Sequence, residues 1–120
     1  MRRGEIWLAR LNPNTGAEAG KVRPVLILLN NELLATGMSP ILCIPLTSKL
    51  FKNLGGLRVE IPSRGRLLKS CYVMPEQMRA LDRSRFNDTP LASVTDEEMI
   101  AIERLFLATC GLAQYLSPAH

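Results

Sequence analysis

The apolar positions of this chain fall into short runs separated by turn-forming residues, and near the end they take up helical spacing. Glu5 to Arg10 is brief, carries Trp7 and runs into Asn12-Pro13-Asn14-Thr15-Gly16, the pattern of a strand entering a loop that continues through Gly20. Val22 to Leu29 is nearly all apolar, with Pro24 near its start where a missing backbone donor is tolerated, so it predicts a buried strand ended by Asn30-Asn31. Pro40 to Leu46 is another apolar run, Leu57 to Ile61 alternates with period two, and Ser70 to Met74 makes a further strand. Thr47 to Gly56 and Pro62 to Lys69, rich in Gly, Ser, Lys and Arg, read as loops. Thr95-Asp96-Glu97-Glu98 offers an N-cap with a reciprocal carboxylate three residues on. Met99, Ile102, Leu105, Phe106 and Thr109 then share one helical face, with Gly111 as the stop.

Several short strands followed by one helix predict a mainly β domain, a small, strongly curved antiparallel sheet or barrel. At 120 residues the chain makes one domain, residues 1–120, able to hide about two-thirds of its unfolded surface. No apolar stretch reaches the roughly 18 residues of a membrane span, and Met1-Arg2-Arg3-Gly4-Glu5 opens no secretory signal, so a cytoplasmic protein is expected. Cys43, Cys71 and Cys110, each among apolar neighbours, read as reduced core thiols. Three scattered cysteines and His120 lack the spacing of a metal site or of a cysteine–histidine pair, and neither metal nor cofactor is expected.

Charge changes the picture more by its distribution than by its net value of +4. Residues 1–23 carry five basic and two acidic side chains, residues 49–85 nine and three, and residues 86–120 one and five. A polyanion such as RNA would be drawn to the first two-thirds. The alternative is a solvated charged surface.

Four segments carry a resemblance: Arg3-Gly4-Glu5-Ile6-Trp7, Gly20-Lys21-Val22-Arg23-Pro24-Val25, Pro45-Leu46-Thr47-Ser48 and Glu76-Gln77-Met78-Arg79-Ala80-Leu81-Asp82. In this order and at these intervals they resemble the MazF/PemK/Kid family of bacterial toxins, small endoribonucleases of toxin–antitoxin pairs, over nearly the whole chain. The resemblance implies an SH3-like barrel of the CcdB/MazF kind with a helix against it. It also implies a symmetric homodimer, and a MazE-like antitoxin whose disordered acidic tail occupies the cationic groove. The sequence adds that Trp7, Leu107 and Leu112 exceed what one narrow apolar stripe requires, a weak pointer to a dimer.

RNA can be cut without a metal if its own 2′-hydroxyl attacks the neighbouring phosphorus. The protein must then move protons and neutralise the charge that builds on the phosphoryl oxygens. Arginine suits the second task because its planar fork stays charged and pairs with phosphate oxygens. Arg23, between a loop and a rigid strand, is the first candidate, its alternative a salt bridge with Glu18 or Glu76. Thr47, where a strand opens into a basic loop, is the second, with Ser48 able to stand in and a turn cap as the alternative.

Arg23 and Thr47 match the two residues that the family ties most closely to catalysis. For proton transfer the family points to Glu18, five residues ahead of the arginine, or to Glu76, where some members have aspartate. Ala17 stands where others have histidine, and Met74 where some have arginine. Lys21, Gln77 and Arg79 are assigned to RNA binding or to bracing the site. Lys49, Lys52, Arg64, Arg66 and Lys69 are loop cations able to track a backbone, each individually dispensable. Asp82 with Arg83 or Arg85 reads as a surface ion pair. Single-stranded RNA is the expected substrate, read mainly by hydrogen bonds because 5% of residues are aromatic. Two other functions stay open: a gyrase poison of the CcdB kind, whose Trp-Gly-Ile ending this chain lacks, and a family member that binds RNA or antitoxin without cutting.

Overall fold

In a computed structural model that describes residues 1–11, 21–50 and 56–116, the chain forms a seven-stranded antiparallel sheet with one long helix packed on it. The strands are β1 (Glu5–Arg10), β2 (Val22–Ile27), β3 (Ile41–Thr47), β4 (Val59–Ile61), β5 (Cys71–Val73), β6 (Arg79–Leu81) and β7 (Phe86–Ser93). A short helix α1 (Asn31–Ala35) precedes β3, and α2 (Asp96–Thr109) follows β7. The strand order is β4-β5-β3-β2-β1-β7, with β6 also on β3.

The central strand β3 explains the curvature. One edge pairs with β2, from Val25↔Pro45 to Ile27↔Cys43. The other edge is shared: Ile41–Cys43 pairs with β6 and Leu46–Thr47 with β5. Between them the chain turns through a one-turn 3-10 helix, Pro75–Gln77, pinned where the Met74 N–H donates to the Pro45 carbonyl at 3.0 Å. Two small sheets thus share one strand and bend about it, and each face of β3 is covered. One core holds Trp7, Ala9, Val25, Ile27 and Cys43; the other holds Ile6, Leu26, Ile44, Leu46 and Ile102 of α2. This is why β3 reads as an unbroken apolar run rather than an alternating one.

The two ends of the strand order are β4 and β7. They do not pair as a ladder among the described residues. Instead, a tight turn at Arg64–Leu67 reaches across, and the Arg66 N–H donates to the Leu91 carbonyl at 2.8 Å. Gly65 makes that approach possible, since its φ is +53° and a Cβ there would lie 2.9 Å from the Leu91 carbonyl oxygen. Arg64 adds a bidentate pair to Glu98, both bonds 2.6 Å, which ties the turn to the first turn of α2. Glu98 also completes the capping box with Thr95. Gly111, at φ +79°, follows the helix C-cap as expected.

The predicted curved β sheet with a C-terminal helix is observed, and five strand positions and α2 agree with it. Strands β6 and β7 were not predicted. Strand β7 is the longest, but Phe86-Asn87-Asp88-Thr89-Pro90 contains turn-formers and a proline, and its pairing with β1 shifts register twice. Two expectations are corrected. Trp7 is buried and donates its indole N–H to Glu5 at 3.2 Å, so it offers no surface for a dimer. Cys43 and Cys71 are buried thiols, with Cys43 pushed up to about 12 by burial, but Cys110 at the end of α2 is exposed.

Candidate active site

The β2–β3 ladder ends at Val25↔Pro45, two residues short of Arg23 and Thr47, so both lie at the same open end of adjacent strands. The loop that precedes Arg23 is closed at its base by the Leu11 N–H, which donates to the Lys21 carbonyl at 2.6 Å. Lys21 itself has φ +64°, a left-handed conformation that is strained for a lysine. The strain sits directly beside the candidate residues.

At this end lies a cavity of about 490 Å³. Lys21, Arg23 and Ser48 line it together with Arg66 and Lys69, and its apolar lining includes Leu8, Pro24, Leu46 and Leu91. Leu8 pairs with Pro24 across β1 and β2, so this lining follows directly from the strand register. Four cations line one open pocket with a mainly apolar wall, and cations gathered over a low-dielectric wall act together on an anion. Arg66 and Lys69, expected as dispensable loop cations, are brought to Arg23 by the turn at Gly65 and the bond from the Arg66 N–H to the Leu91 carbonyl of β7. Their sequence signal, a basic loop, was visible without its destination.

Thr47 is 8% exposed, and its Oγ1 accepts the Lys49 N–H at 3.2 Å. It is the turn cap of the alternative reading, yet its own O–H remains a donor, so capping and phosphate binding are compatible. Ser48 and Lys49 follow it, exposed. Glu18 and Lys52 lie outside the described residues.

Glu76, Gln77 and Arg79 stand apart from this cavity. They line a smaller one of about 310 Å³ at the corner between β5 and β6. The Glu76 carboxylate takes both nitrogens of Arg58 at 2.7 Å, and the Arg58 side chain is 6% exposed. Its partner is therefore Arg58, where the sequence suggested Arg23. Arg58 gave no signal of its own in the sequence. Arg79 donates to the Gln77 side chain at 3.3 Å and to its carbonyl at 3.4 Å, a brace on the corner. Among the described residues, no three His, Cys, Asp or Glu side chains gather as a metal site would require.

Asp82, expected in a surface ion pair with Arg83 or Arg85, is bonded first of all by two serines. Its carboxylate accepts the Ser39 hydroxyl at 2.9 Å and the Ser84 hydroxyl and N–H at 2.6 and 3.0 Å. These bonds, with a smaller charge effect from Arg85, hold it down at about 2. Arg83 turns instead to the Met38 and Leu34 carbonyls.

Comparison with known proteins places this geometry. The model of a family described as PemK-like, MazF-like toxin of type II toxin-antitoxin system matches residues 2–108. A protein named endoribonuclease MazF, from Staphylococcus saprophyticus, is 32% identical over 114 residues, 93% of this chain and 92% of that protein. Among solved structures, MazF from Deinococcus radiodurans shares the fold with a TM-score of 0.76 at 21% identity, over 92% of this chain and 96% of that one. An endoribonuclease in complex with its cognate antitoxin, from a mycobacterial species, gives a TM-score of 0.70 at 20% identity, over 98% and 97% of the two chains.

Proposed function

The chain belongs to the family of PemK-like, MazF-like toxins of type II toxin–antitoxin systems, and on that premise we propose that it is an endoribonuclease that cuts single-stranded RNA by attack of the substrate's own 2′-hydroxyl. The observation that supports this most is the cavity where Arg23, Lys21 and Ser48 meet Arg66 and Lys69. A phosphodiester seated there has its two non-bridging oxygens against cations. Attack by the 2′-oxygen forms the bond to phosphorus as the bond to the 5′-oxygen breaks, leaving a 2′,3′-cyclic phosphate and a 5′-hydroxyl. The 2′-hydroxyl proton goes to a carboxylate, and a proton is returned to the leaving oxygen.

Arg23 stabilises the charge that develops on the phosphoryl oxygens, with Thr47 or Ser48 donating a hydrogen bond. Glu18 takes the role of proton carrier. The bidentate bond from Arg58 gives Glu76 a different task, holding the corner that carries Gln77 and Arg79. No metal ion enters this scheme. A homodimer in the cytoplasm, silenced by an antitoxin with an acidic tail, completes the reading. Among the described residues no helix is long and apolar enough to cross a membrane.

The test is incubation of the purified protein, in excess chelator and low salt, with mixed-sequence single-stranded RNA and with its DNA counterpart. Discrete RNA fragments ending in cyclic phosphate, absent with DNA and with Arg23→Ala, are expected. Intact RNA from folded protein at every concentration would overturn the catalytic reading in favour of a binding role.

A further inference from the structure

The strand registers set Arg23 and Thr47 into a longer row of side chains. Ala9 pairs with Arg23 across β1 and β2, and the Val25↔Pro45 register, extended by two residues, sets Arg23 against Thr47. Thr47 in turn pairs with Tyr72 across β3 and β5, and Tyr72 with Glu60 across β5 and β4. Each of the last three alternates with residues of the core under α2: Leu46 beside Thr47, Cys71 and Val73 beside Tyr72, Val59 and Ile61 beside Glu60. Successive side chains point to opposite faces of a sheet, so Thr47, Tyr72 and Glu60 project together on the side away from that core. Directly opposed residues of antiparallel strands have Cβ atoms about 4.5 to 5.5 Å apart, which brings the Tyr72 ring beside any group that Thr47 binds.

Tyr72 is half-buried and Glu60 exposed. The Tyr72 hydroxyl donates to Glu60 Oε2 at 3.4 Å, a long bond that a bound group can replace. Arg58, two residues before Glu60, is taken by Glu76 through both nitrogens, so the partner of Glu60 is a neutral phenol. An ionised carboxylate accepts hydrogen bonds and donates none. It repels phosphate, and what suits it on an RNA strand is the N–H edge of a base. The other aromatic side chains stand elsewhere: Trp7 is buried, Phe86 and Phe106 pack on the two cores, and Tyr115 lies beyond α2. Among the described residues, Tyr72 is the aromatic one in the row with Arg23 and Thr47.

We infer that Tyr72 and Glu60 form a base-reading subsite next to Thr47, in which the Tyr72 ring stacks on the base of a nucleotide flanking the scissile phosphate and the Glu60 carboxylate accepts from that base's exocyclic amino group. The inference rests on the ribonuclease reading for its substrate. Adenine, cytosine and guanine carry such an amino group. Uracil does not, and its carbonyl oxygens repel a carboxylate, so uracil is disfavoured at this position. The cations around Arg23 hold every sequence alike, whereas this pair distinguishes one base from another.

The experiment incubates the full chain with a pool of random-sequence single-stranded RNA and sequences the fragment ends, so that base preference is read at each position around the cut. The wild-type protein is expected to disfavour uracil at one flanking position by roughly fivefold or more. Glu60→Gln keeps an oxygen for the Tyr72 hydroxyl and adds an amide donor that uracil can accept, and it is expected to abolish the bias at that position alone. Tyr72→Leu is expected to raise KM about tenfold with kcat nearly unchanged, and Tyr72→Phe to restore KM, because the ring rather than the hydroxyl stacks. Glu32→Gln, exposed on α1, leaves both the preference and KM as they were. A second measurement is independent of cleavage: anisotropy of labelled oligocytidine and oligouridine in an Arg23→Ala background, where Glu60→Gln is expected to bring the ratio of the two affinities close to one.

A base preference that Glu60→Gln leaves unchanged, in protein with the wild-type urea midpoint, overturns the subsite. So does a Tyr72→Phe protein as impaired as Tyr72→Leu, which would reduce the pair to a brace between β4 and β5. The two readings separate cleanly. Oligocytidine preferred over oligouridine through Glu60, by a protein that never cuts RNA, keeps the subsite and removes the enzyme, whereas RNA cut at a motif indifferent to Glu60 does the opposite.

Discussion

Two groups of arginines in this molecule differ in what their guanidinium groups touch. Arg58 and Arg64 each meet a carboxylate with both nitrogens, at 2.6 to 2.7 Å, one at the corner between the small sheets and the other at the first turn of α2. Arg10 and Arg66 meet a carbonyl and a hydroxyl on the face that carries the Arg23 cavity. The first group is neutralised and holds elements together. The second retains its charge, and the surface it builds is cationic although residues 86–120 are acidic. A count of basic residues cannot make this distinction, because it depends on which strand edge each side chain meets.

The sharpest way to break the comparison is to remove one charge from each group. Arg23→Ala, in the cavity, is expected to lower the rate of RNA cleavage by about 10²- to 10³-fold, the usual cost of losing a preorganised oxyanion partner, and to leave the urea midpoint nearly unchanged. Glu76→Gln is expected to do the reverse. It leaves the guanidinium of Arg58, whose side chain is 6% exposed, without its counter-charge. Truncating a fully buried pair costs about 3 to 5 kcal/mol; with the Glu76 side chain 39% exposed, solvent reduces this to about 1 to 3 kcal/mol. Urea unfolding measures the loss. A Glu76→Gln protein that kept its stability and lost cleavage a hundredfold would return Glu76 to the list of proton carriers.

What could be read from the chain follows the same division. Strands β1 to β5 and α2 were legible because each is specified by residues within its own span: apolar runs, alternation, a capping box and a glycine stop. Strand β7 was not, because Pro90 and Asn87-Asp88 are locally those of a turn, and its strand form depends on β1 beside it. Arg23 and Thr47 were legible through motifs at the ends of strands. Arg58 as the partner of Glu76, and Arg66 and Lys69 as walls of the Arg23 cavity, depend on how distant segments meet, and no spacing in the sequence announces that.

Gly65 links the two groups and offers a middle-sized effect. It lies between Arg64, which is neutralised by Glu98, and Arg66, which lines the Arg23 cavity. Gly65→Ala places a Cβ 2.9 Å from the Leu91 carbonyl oxygen at a φ of +53°. The expected cost is about 1 to 2 kcal/mol from the strained backbone and the displaced turn, seen as a lower urea midpoint. The Arg66 N–H bond to Leu91 should lengthen, and RNA affinity should fall with it. If stability dropped and RNA binding did not, the position of Arg66 would not matter to RNA binding.

The smallest effect comes from acid. Serine hydrogen bonds hold the Asp82 carboxyl at about 2, below its ordinary value of about 3.9. A depressed folded pKa means that the unfolded chain takes up the proton first. The stabilisation is present in full above about pH 4 and is lost as pH falls toward about 2. Glu98, held down first by Arg64, acts with the same sign. Asp82→Asn is therefore expected to flatten the acid limb of a stability–pH curve measured by urea unfolding, with little change in the slope of stability near neutral pH. Asp82 also caps the turn Arg83–Arg85, so protonating it loosens the segment that carries Arg85. Glu98→Gln, which unpairs Arg64 in the separate turn Arg64–Leu67, is expected to flatten the same limb without loosening the turn Arg83–Arg85.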